Sequence, residues 1–416
     1  MQTRFIIILV LLALAEYYGY VLVRSMVKNM SNVPRLSILG VYITLTVFTW
    51  FSFILFRQIH WANLPHMIRN IYVAFGMGWV VAKLVVMLVM LIDDIRRLLT
   101  WLVTTMTLSN SPNTDVISNP IERSLFLKRT AVLLGGLTLT GFFAGVSNRY
   151  RYRVRTVKMN FKSLPASFKG LKIVQISDVH TGSFDNHHAV AHGIDRILDQ
   201  KPDIIFFTGD LVNNVATEVT EKFQEIFSRL KAPLGVYSVL GNHDYGDYVQ
   251  WESKEDKIRN LEDLKGIHHK MGWRLMMNEH IVFERNNEKI AVVGIENWGA
   301  KANFPKYGDL NKAVDGLKEK NVPFSILLSH DPSHWDAQIR PKFPEINLTL
   351  SGHTHGMQFG VDSKWLKWSP VQYIYKQWAG HYSEGEQSLY VNRGFGFLGY
   401  PGRLGILPEI TVIELV

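Results

Sequence analysis

The chain has 416 residues, 47% of them apolar, no cysteine, and a formal net charge of +9. Such a composition excludes a disordered chain, and the missing cysteines exclude disulfides, zinc-thiolate sites and thiol nucleophiles while leaving the redox compartment open. Residues 1–160 carry 17 basic and 5 acidic side chains while residues 161–416 carry 28 and 31, so no basic face lies on a folded module and nucleic acid is not an expected partner.

Taken in chain order, the basic part opens with apolar stretches at residues 5–23, 36–56, 71–92 and 131–146, each bounded by basic residues. A helix needs roughly 20 apolar residues to cross the hydrocarbon core, with about 17 as the lower limit. The first three satisfy this and the fourth is marginal, so residues 1–150 are expected to form a transmembrane anchor of about four spans. The first is too long, and followed by too many others, for a cleaved signal peptide. Residues 98–108 are apolar but short and follow Asp93, Asp94, Arg96 and Arg97, which suits an interfacial helix. Glu16 and Lys83 fall inside spans and are expected to face the bundle, where they can pair. A transport or sensing role and a plain structural pair both remain open for them.

Charge counting does not set the topology: with four spans, eight Lys/Arg fall on each side. The segment Arg123-Ser124-Leu125-Phe126-Leu127-Lys128 is similar to a twin-arginine export signal, departing from it at Ser124. That likeness tilts the expectation toward an extracytoplasmic C-terminal domain on a multi-pass protein of the cytoplasmic membrane.

Residues 151–416 read differently. Short apolar runs at 171–177, 203–208, 235–240, 290–295, 324–329, 347–351 and 388–392 fit buried strands. Helical patterns lie at 187–199, 219–230, 256–271 and 310–318. This alternation implies an α/β or mixed α+β domain whose sheets are covered by helices.

The chemistry sits at the strand ends. They read Asp178-Val179-His180, Gly209-Asp210, Gly241-Asn242-His243-Asp244, Ser329-His330 and Gly352-His353-Thr354-His355. Acid, amide and imidazole groups at successive strand ends converge on one crevice, where open sheets bind ligands. Such a mixture of oxygen and nitrogen donors suits Mn, Fe, Zn or similar ions. Each motif alone is weak; five in order, each closing a predicted strand, are specific.

The series resembles the calcineurin-like metallophosphoesterases over residues 155–416, including the ending Pro408-Glu409-Ile410, and most of all their membrane-anchored bacterial branch. The resemblance implies a four-layer α/β/β/α sandwich around two divalent metal ions. It assigns Asp178, His180 and His355 to one ion, Asn242, His330 and His353 to the other, and Asp210 to a bridge between them. His243 would protonate the leaving oxygen, with Asp244 orienting it. The chemistry agrees: two divalent ions and two carboxylates leave a site that attracts phosphate, a bridging carboxylate suits ions about 3.5–4 Å apart, and imidazole titrates in the range needed for acid catalysis. Asn213 stands where purple acid phosphatases carry a tyrosine ligand to ferric iron, so an Mn, Fe(II) or Zn pair is expected.

The remaining signals are less specific. His187, His188 and His192 suit a helix surface. The cluster Trp365, Trp368, Tyr373, Tyr375 and Trp378 fits a substrate groove, a membrane contact or a packed subdomain equally. Arg393 and Arg403, in a glycine-rich stretch, are candidate phosphate contacts. The expected activity is hydrolysis of a phosphomonoester, phosphodiester or pyrophosphate by a metal-bridging hydroxide. Tethering suggests a lipid-linked or cell-envelope substrate such as UDP-2,3-diacylglucosamine or a phospholipid, known substrates of membrane-attached relatives. The alternatives are a catalytically weak sensor or scaffold, and a transporter with a regulatory phosphatase domain.

Overall fold

The computed structural model describes residues 2–55, 66–108, 123–301 and 305–416, and the chain divides into two compact units, residues 1–146 and 147–416. The end of the expected second span, at residue 56, lies outside the described residues, as does Arg57 of the charge count.

The first unit contains the helices α1 (Gln2–Met26), α2 (Asn32–Leu55), α3 (His66–Leu108) and α4 (Leu125–Ser147). All four are long and apolar enough to cross a membrane. Their outer faces carry exposed Val10, Leu14, Val41, Phe51, Leu88 and Leu137, the opposite of a water-soluble helix and the pattern lipid requires. A small interior forms where Ala15, Tyr18 and Leu22 meet Val86, Met90 and Ala131.

Inside this bundle Lys83 Nζ lies 2.5 Å from Glu16 Oε2 and donates to Thr46 Oγ1 at 2.9 Å. Trp50 Nε1 donates to the second Glu16 oxygen at 3.1 Å. Lys83 also sits over the Trp79 ring, 4.8 Å from its centroid, where the ring quadrupole attracts the ammonium. The two in-span charges thus satisfy one another.

Where a separate interfacial helix was expected at residues 98–108, α3 continues unbroken. Its charged turn does not interrupt it because the charges pair along the helix: Arg96 with Asp93 and Arg97 with Asp94, each at 2.9 Å and three residues apart. Arg123 pairs with Asp94 at 2.9 Å, and Asp93 accepts from the Ser124 N–H just before α4. The arginine that suggested an export signal therefore has a structural partner. The start of α4 at Leu125 extends the marginal fourth stretch to 23 residues.

The second unit is built from two six-stranded sheets. One has β1 (Arg153–Met159), β2 (Lys172–Ile176), β3 (Ile204–Phe207), β4 (Val236–Ser238), β5 (Arg274–Leu275) and β14 (Glu409–Leu415), in the order β1-β14-β2-β3-β4-β5. The other has β6 (Glu279–Arg285), β7 (Glu288–Gly294), β8 (Phe324–Leu328), β9 (Leu348–Ser351), β12 (Gly380–Glu384) and β13 (Gln387–Val391), in the order β12-β13-β9-β8-β7-β6. β2, β3, β4 and β5 are parallel, as are β7, β8, β9 and β13. A two-stranded hairpin, β10 (Val361–Asp362) and β11 (Lys367–Trp368), stands apart from both.

Alternation along the strands sorts their side chains into layers. Ile173 and Phe206 meet Val292, Ile326 and Leu350 between the sheets. Val174, Ile176, Ile205 and Phe207 turn the other way, toward α5 (His187–Leu198), α6 (Glu221–Phe227) and α7 (Lys254–Lys270). On the far side Val293 and Leu327 pack with Leu310 and Ala313 of α8 (Leu310–Val314) and with Trp335. The result is the expected α/β/β/α arrangement. Asn186, Thr220 and Ser253 cap α5, α6 and α7 by accepting backbone N–H groups, which sets where each helix begins.

The intramembrane pair generates a test. Lys83→Met strands Glu16 without its cation and should destabilise the bundle by about 3–5 kcal/mol, whereas Glu16→Gln with Lys83→Met should recover most of it. Thermal unfolding in detergent reads the cycle, and equal losses in single and double variants would show that the pair carries no coupling.

Candidate metal centre

Five strand ends deliver the functional side chains. Asp178 and His180 follow β2, Asp210 follows β3, Asn242, His243 and Asp244 follow β4, His330 follows β8, and His353 and His355 follow β9. The loops are knit by backbone bonds, Asp178 N–H to Gly209 O at 2.8 Å and Gly352 N–H to His330 O at 2.9 Å. Two glycines allow this closeness. A Cβ on Gly352 would sit 1.9 Å from Ser177 Oγ, and one on Gly209, at φ +97°, would lie 2.6 Å from Gly241 N.

Asp178, His180, Asp210, His353 and His355 all adopt positive φ, between 51° and 72°. Non-glycine residues pay about 1 kcal/mol or more for such a backbone. Five such residues within one cluster of loops turn their side chains inward at the expense of local stability.

Two donor groups result: Asp178, His180 and His355, and Asp210, His330 and His353, with the ligand atoms of each group within 4.8 Å of one another. In the first, His355 Nε2 lies 3.1 Å from His180 Nε2 and 3.2 Å from Asp178 Oδ1. In the second, His330 Nε2 lies 3.1 Å from Asp210 Oδ2. Asn242 Oδ1 joins it, 3.2 Å from His330 Nε2 and 2.8 Å from His353 Nδ1. Ligands bonded at about 2.0–2.2 Å to one tetrahedral ion stand roughly 3–3.5 Å apart, so the donor spacing fits a divalent cation in each group.

The tautomers fit as well. His180 Nδ1 donates to Val212 O at 3.2 Å and His330 Nδ1 donates to Thr208 O at 2.7 Å. A carbonyl only accepts, so in the neutral form of each ring the Nε2 lone pair faces inward. At His330 burial is outweighed by the Asp210 charge, which pushes the imidazole up to about 10, so an incoming cation must displace that proton. His353 points its Nδ1 inward and hydrogen-bonds through Nε2 to the Tyr375 hydroxyl at 2.8 Å. Burial drives the His180 imidazole well below its usual range and holds it neutral, the form that ligates.

Asp210 separates its two oxygens. Oδ1 accepts the His243 N–H at 2.9 Å, while Oδ2 lies 3.6 Å from His180 Nε2 and 3.1 Å from His330 Nε2. One oxygen, Oδ2, stands between the donor groups.

The orienting contact from Asp244 to His243 that the resemblance implies is not made. The His243 ring donates through Nδ1 to Asn213 O at 2.7 Å. Asp244 instead accepts four backbone N–H groups: Gly241 and Asp210 on Oδ2, Leu211 and Val212 on Oδ1, at 2.8–3.2 Å. Its carboxylate is spent on the backbone, so it anchors the Asp210 loop and the orientation of His243 falls to a carbonyl. Burial and the neighbouring Asp210 charge push the Asp244 carboxyl up to about 7, against those four donors.

Arg393 and Arg403 are buried and do not reach toward the site as free cations. Arg393 pairs with Glu409 at 2.5 Å and Asp362 at 3.1 Å, while Arg403 donates to the Arg393 carbonyl at 2.7 Å and to that of Gly394 at 3.2 Å. They brace the loops that carry the ligands. His187, His188 and His192 are exposed on α5. Tyr248 carried no expectation as a site residue, and Tyr375 carried one only as part of the aromatic cluster. Tyr248 accepts from Asn242 Nδ2 at 2.8 Å and packs 4.5 Å from the His243 ring. Tyr375 belongs to the aromatic cluster, which hinted at it; nothing in the sequence around Tyr248 did.

Residues 171–357 match the family described as calcineurin-like phosphoesterase, and residues 3–149 match one described as the transmembrane domain of a probable calcineurin-like phosphoesterase. An uncharacterized metallophosphoesterase of Bacillus subtilis, YkuE, is 31% identical over 71% of this chain and 98% of its own length. A zebrafish transmembrane protein with metallophosphoesterase domain (Danio rerio) is 30% identical over 63% of this chain, which spans only 57% of that relative. LpxG of Chlamydia trachomatis, a UDP-2,3-diacylglucosamine pyrophosphatase, is 26% identical over 64% of this chain and 89% of its own.

The anchoring role of Asp244 can be separated from chemistry. Asp244→Asn turns an amide N–H₂ onto backbone donors and should cost about 2–4 kcal/mol of stability, while His243→Ala should stay within about 1 kcal/mol. Urea unfolding of both variants measures this, and an Asp244→Asn protein as stable as the parent would overturn the anchor.

Proposed function

The chain belongs to the calcineurin-like phosphoesterases, and from that membership we propose that it uses two divalent ions to hydrolyse a lipid-linked or cell-envelope phosphoester or pyrophosphate. It is a multi-pass membrane metallophosphoesterase; the substrate class and the residue roles are the proposal. The observation that carries it is the pair of adjoining donor groups with Asp210 Oδ2 between them. The activity carried in the name of the Chlamydia relative, cleavage of a diacylated nucleotide sugar, supports an acylated substrate. An enzyme fixed in a bilayer meets such a substrate without extracting it.

Asp178, His180 and His355 would hold one ion, Asn242, His330 and His353 the other, and Asp210 both. When bound, two such ions polarise the phosphoryl oxygens and lower the pKa of the attacking water. The chain's own part is orientation. Carbonyls of Val212 and Thr208 fix the inward nitrogens of His180 and His330, and Tyr375 fixes His353. Neutral Asn242 completes a group without adding an anion that would repel phosphate. With Nδ1 committed to Asn213 O, Nε2 is the atom of His243 left to deliver a proton to the leaving oxygen. Asn213 itself offers no phenolate, which supports an Mn, Fe(II) or Zn pair over ferric iron.

Purified protein should lose hydrolysis on chelation and regain it with Mn²⁺, Fe²⁺ or Zn²⁺, tested on bis-p-nitrophenyl phosphate, phosphatidic acid and UDP-2,3-diacylglucosamine. His243→Ala should lower kcat about 10²–10⁴-fold on a poor leaving group and far less on p-nitrophenolate, which needs no proton. Asp210→Asn should abolish turnover on all three; parental rates in both variants would sink the assignment.

An extracytoplasmic catalytic unit is the orientation we favour, on the likeness of residues 123–128 to an export signal. Protease added to intact cells should then clip residues 147–416, and full protection would reverse the orientation.

A further inference from the structure

The aromatic cluster singled out in the sequence divides in two. Tyr375 and Trp378 are buried with Val371, Ala379 and Ile406 in a small core of their own. Trp365 and Tyr373 are not: they are 95% and 77% exposed, beside exposed Leu366, Ile374 and Met357. A soluble surface rarely gathers so many large apolar side chains without a partner.

We propose that residues 357–376 form a membrane-docking surface whose tip seats in the interface of an anionic bilayer. The presentation is rigid. The β10–β11 ladder frames the tip, and Ser363 closes the turn by accepting the Leu366 N–H on its hydroxyl at 3.0 Å. Asp362 is clasped by Arg155 and Arg393, and Ser369 Oγ ties the base to Gly356 O at 2.8 Å. Apolar groups held out on such a base have been built to meet something.

Charge and residue type identify what they meet. Lys364 and Lys376 are exposed on the same segment, where Lys367 turns back to donate to Ala379 O, and its single acid, Asp362, is already paired. Trp and Tyr at the tip, ringed by lysine, are the side chains that settle at headgroup depth on anionic lipid. A protein partner would need acidic groups set against each lysine; an anionic lipid surface supplies them everywhere. Only residues 148–152 connect the apolar α4 to β1, a short tether along the chain.

The surface and the metal centre are also one hydrogen-bonded piece, because Tyr375 at the base holds His353 Nε2. Docking the tip therefore sets the site at the lipid interface, whichever substrate is hydrolysed there.

The cysteine-free sequence makes the test direct. Trp365→Cys, Tyr373→Cys and, as a remote control, Glu225→Cys are each labelled with an environment-sensitive fluorophore in the full chain, reconstituted in phosphatidylglycerol nanodiscs. Labels at 365 and 373 should shift to the blue and be quenched by shallow spin-labelled lipids, and the label at 225 should do neither. Lys364→Gln and Lys376→Gln should each weaken docking roughly fivefold. Labels at 365 and 373 as water-exposed as that at 225 would overturn the proposal. So would quenching between labelled copies without any response to spin-labelled lipid, which would assign the surface to a second copy of the chain. Undiminished quenching in the lysine variants would overturn the choice of an anionic surface.

Discussion

Four backbone N–H groups converge on the Asp244 carboxylate, and the geometry of the centre depends on that convergence. It ties the end of β3 to the end of β4 and holds Asp210 at φ 63°. Asp210 in turn accepts the His243 N–H, so the two residues to which the proposal gives the shared carboxylate and the proton donor are fixed together. A charged acceptor with several amide donors is among the stronger arrangements available in a protein interior. Such an anchor is needed because the ligand loops gain no help from their own backbone preference.

How far the sequence reveals this depends on how each element is buried. β3 and β8 read as near-continuous apolar runs because both their faces are covered, and their residues were legible. The edge strands β1, β6 and β12 are half exposed, with mixed polarity that resembles loop. β14 is buried yet equally hidden, because Glu409 sits inside it, satisfied by Arg393, Tyr390 and Thr411. No local pattern shows that a glutamate will find an arginine sixteen residues away. The ligands were legible for the reverse reason: Asp178-x-His180 and Gly352-His353-x-His355 concentrate chemistry into a few letters. The resemblance gives His243 an orienting partner in Asp244, whereas the fold supplies one from the Asn213 carbonyl and commits Asp244 to backbone N–H groups that no local pattern reveals. Likewise α3 runs through its charged turn because Asp93 and Asp94 find Arg96, Arg97 and Arg123.

The two units handle charge in different ways. In the first, most charges lie at helix ends and the few inside are paired, because hydrocarbon tolerates nothing else. In the second, acids and imidazoles are buried together without enough fixed cations to match them: Asp178, Asp210, Asp244 and Asp331 are each at most 1% exposed. Arg403, the large buried cation nearby, donates to the carbonyls of Arg393, Gly394 and His355 and lies 3.4 Å from His355 Nδ1. The proposed divalent pair would resolve that imbalance and would give the near-neutral unit its attraction for phosphate without a basic surface.

The left-handed backbone at Asp178, His180, Asp210, His353 and His355 has a consequence for how this protein can change. Each position is specialised twice, in side chain and in conformation, and glycine is the residue that relieves the second while destroying the first. Drift away from activity therefore runs downhill in conformational energy here. An inactive descendant need not be a misfolded one, although loss of Asp178 and Asp210 would leave the His353 and His243 N–H groups to find other acceptors.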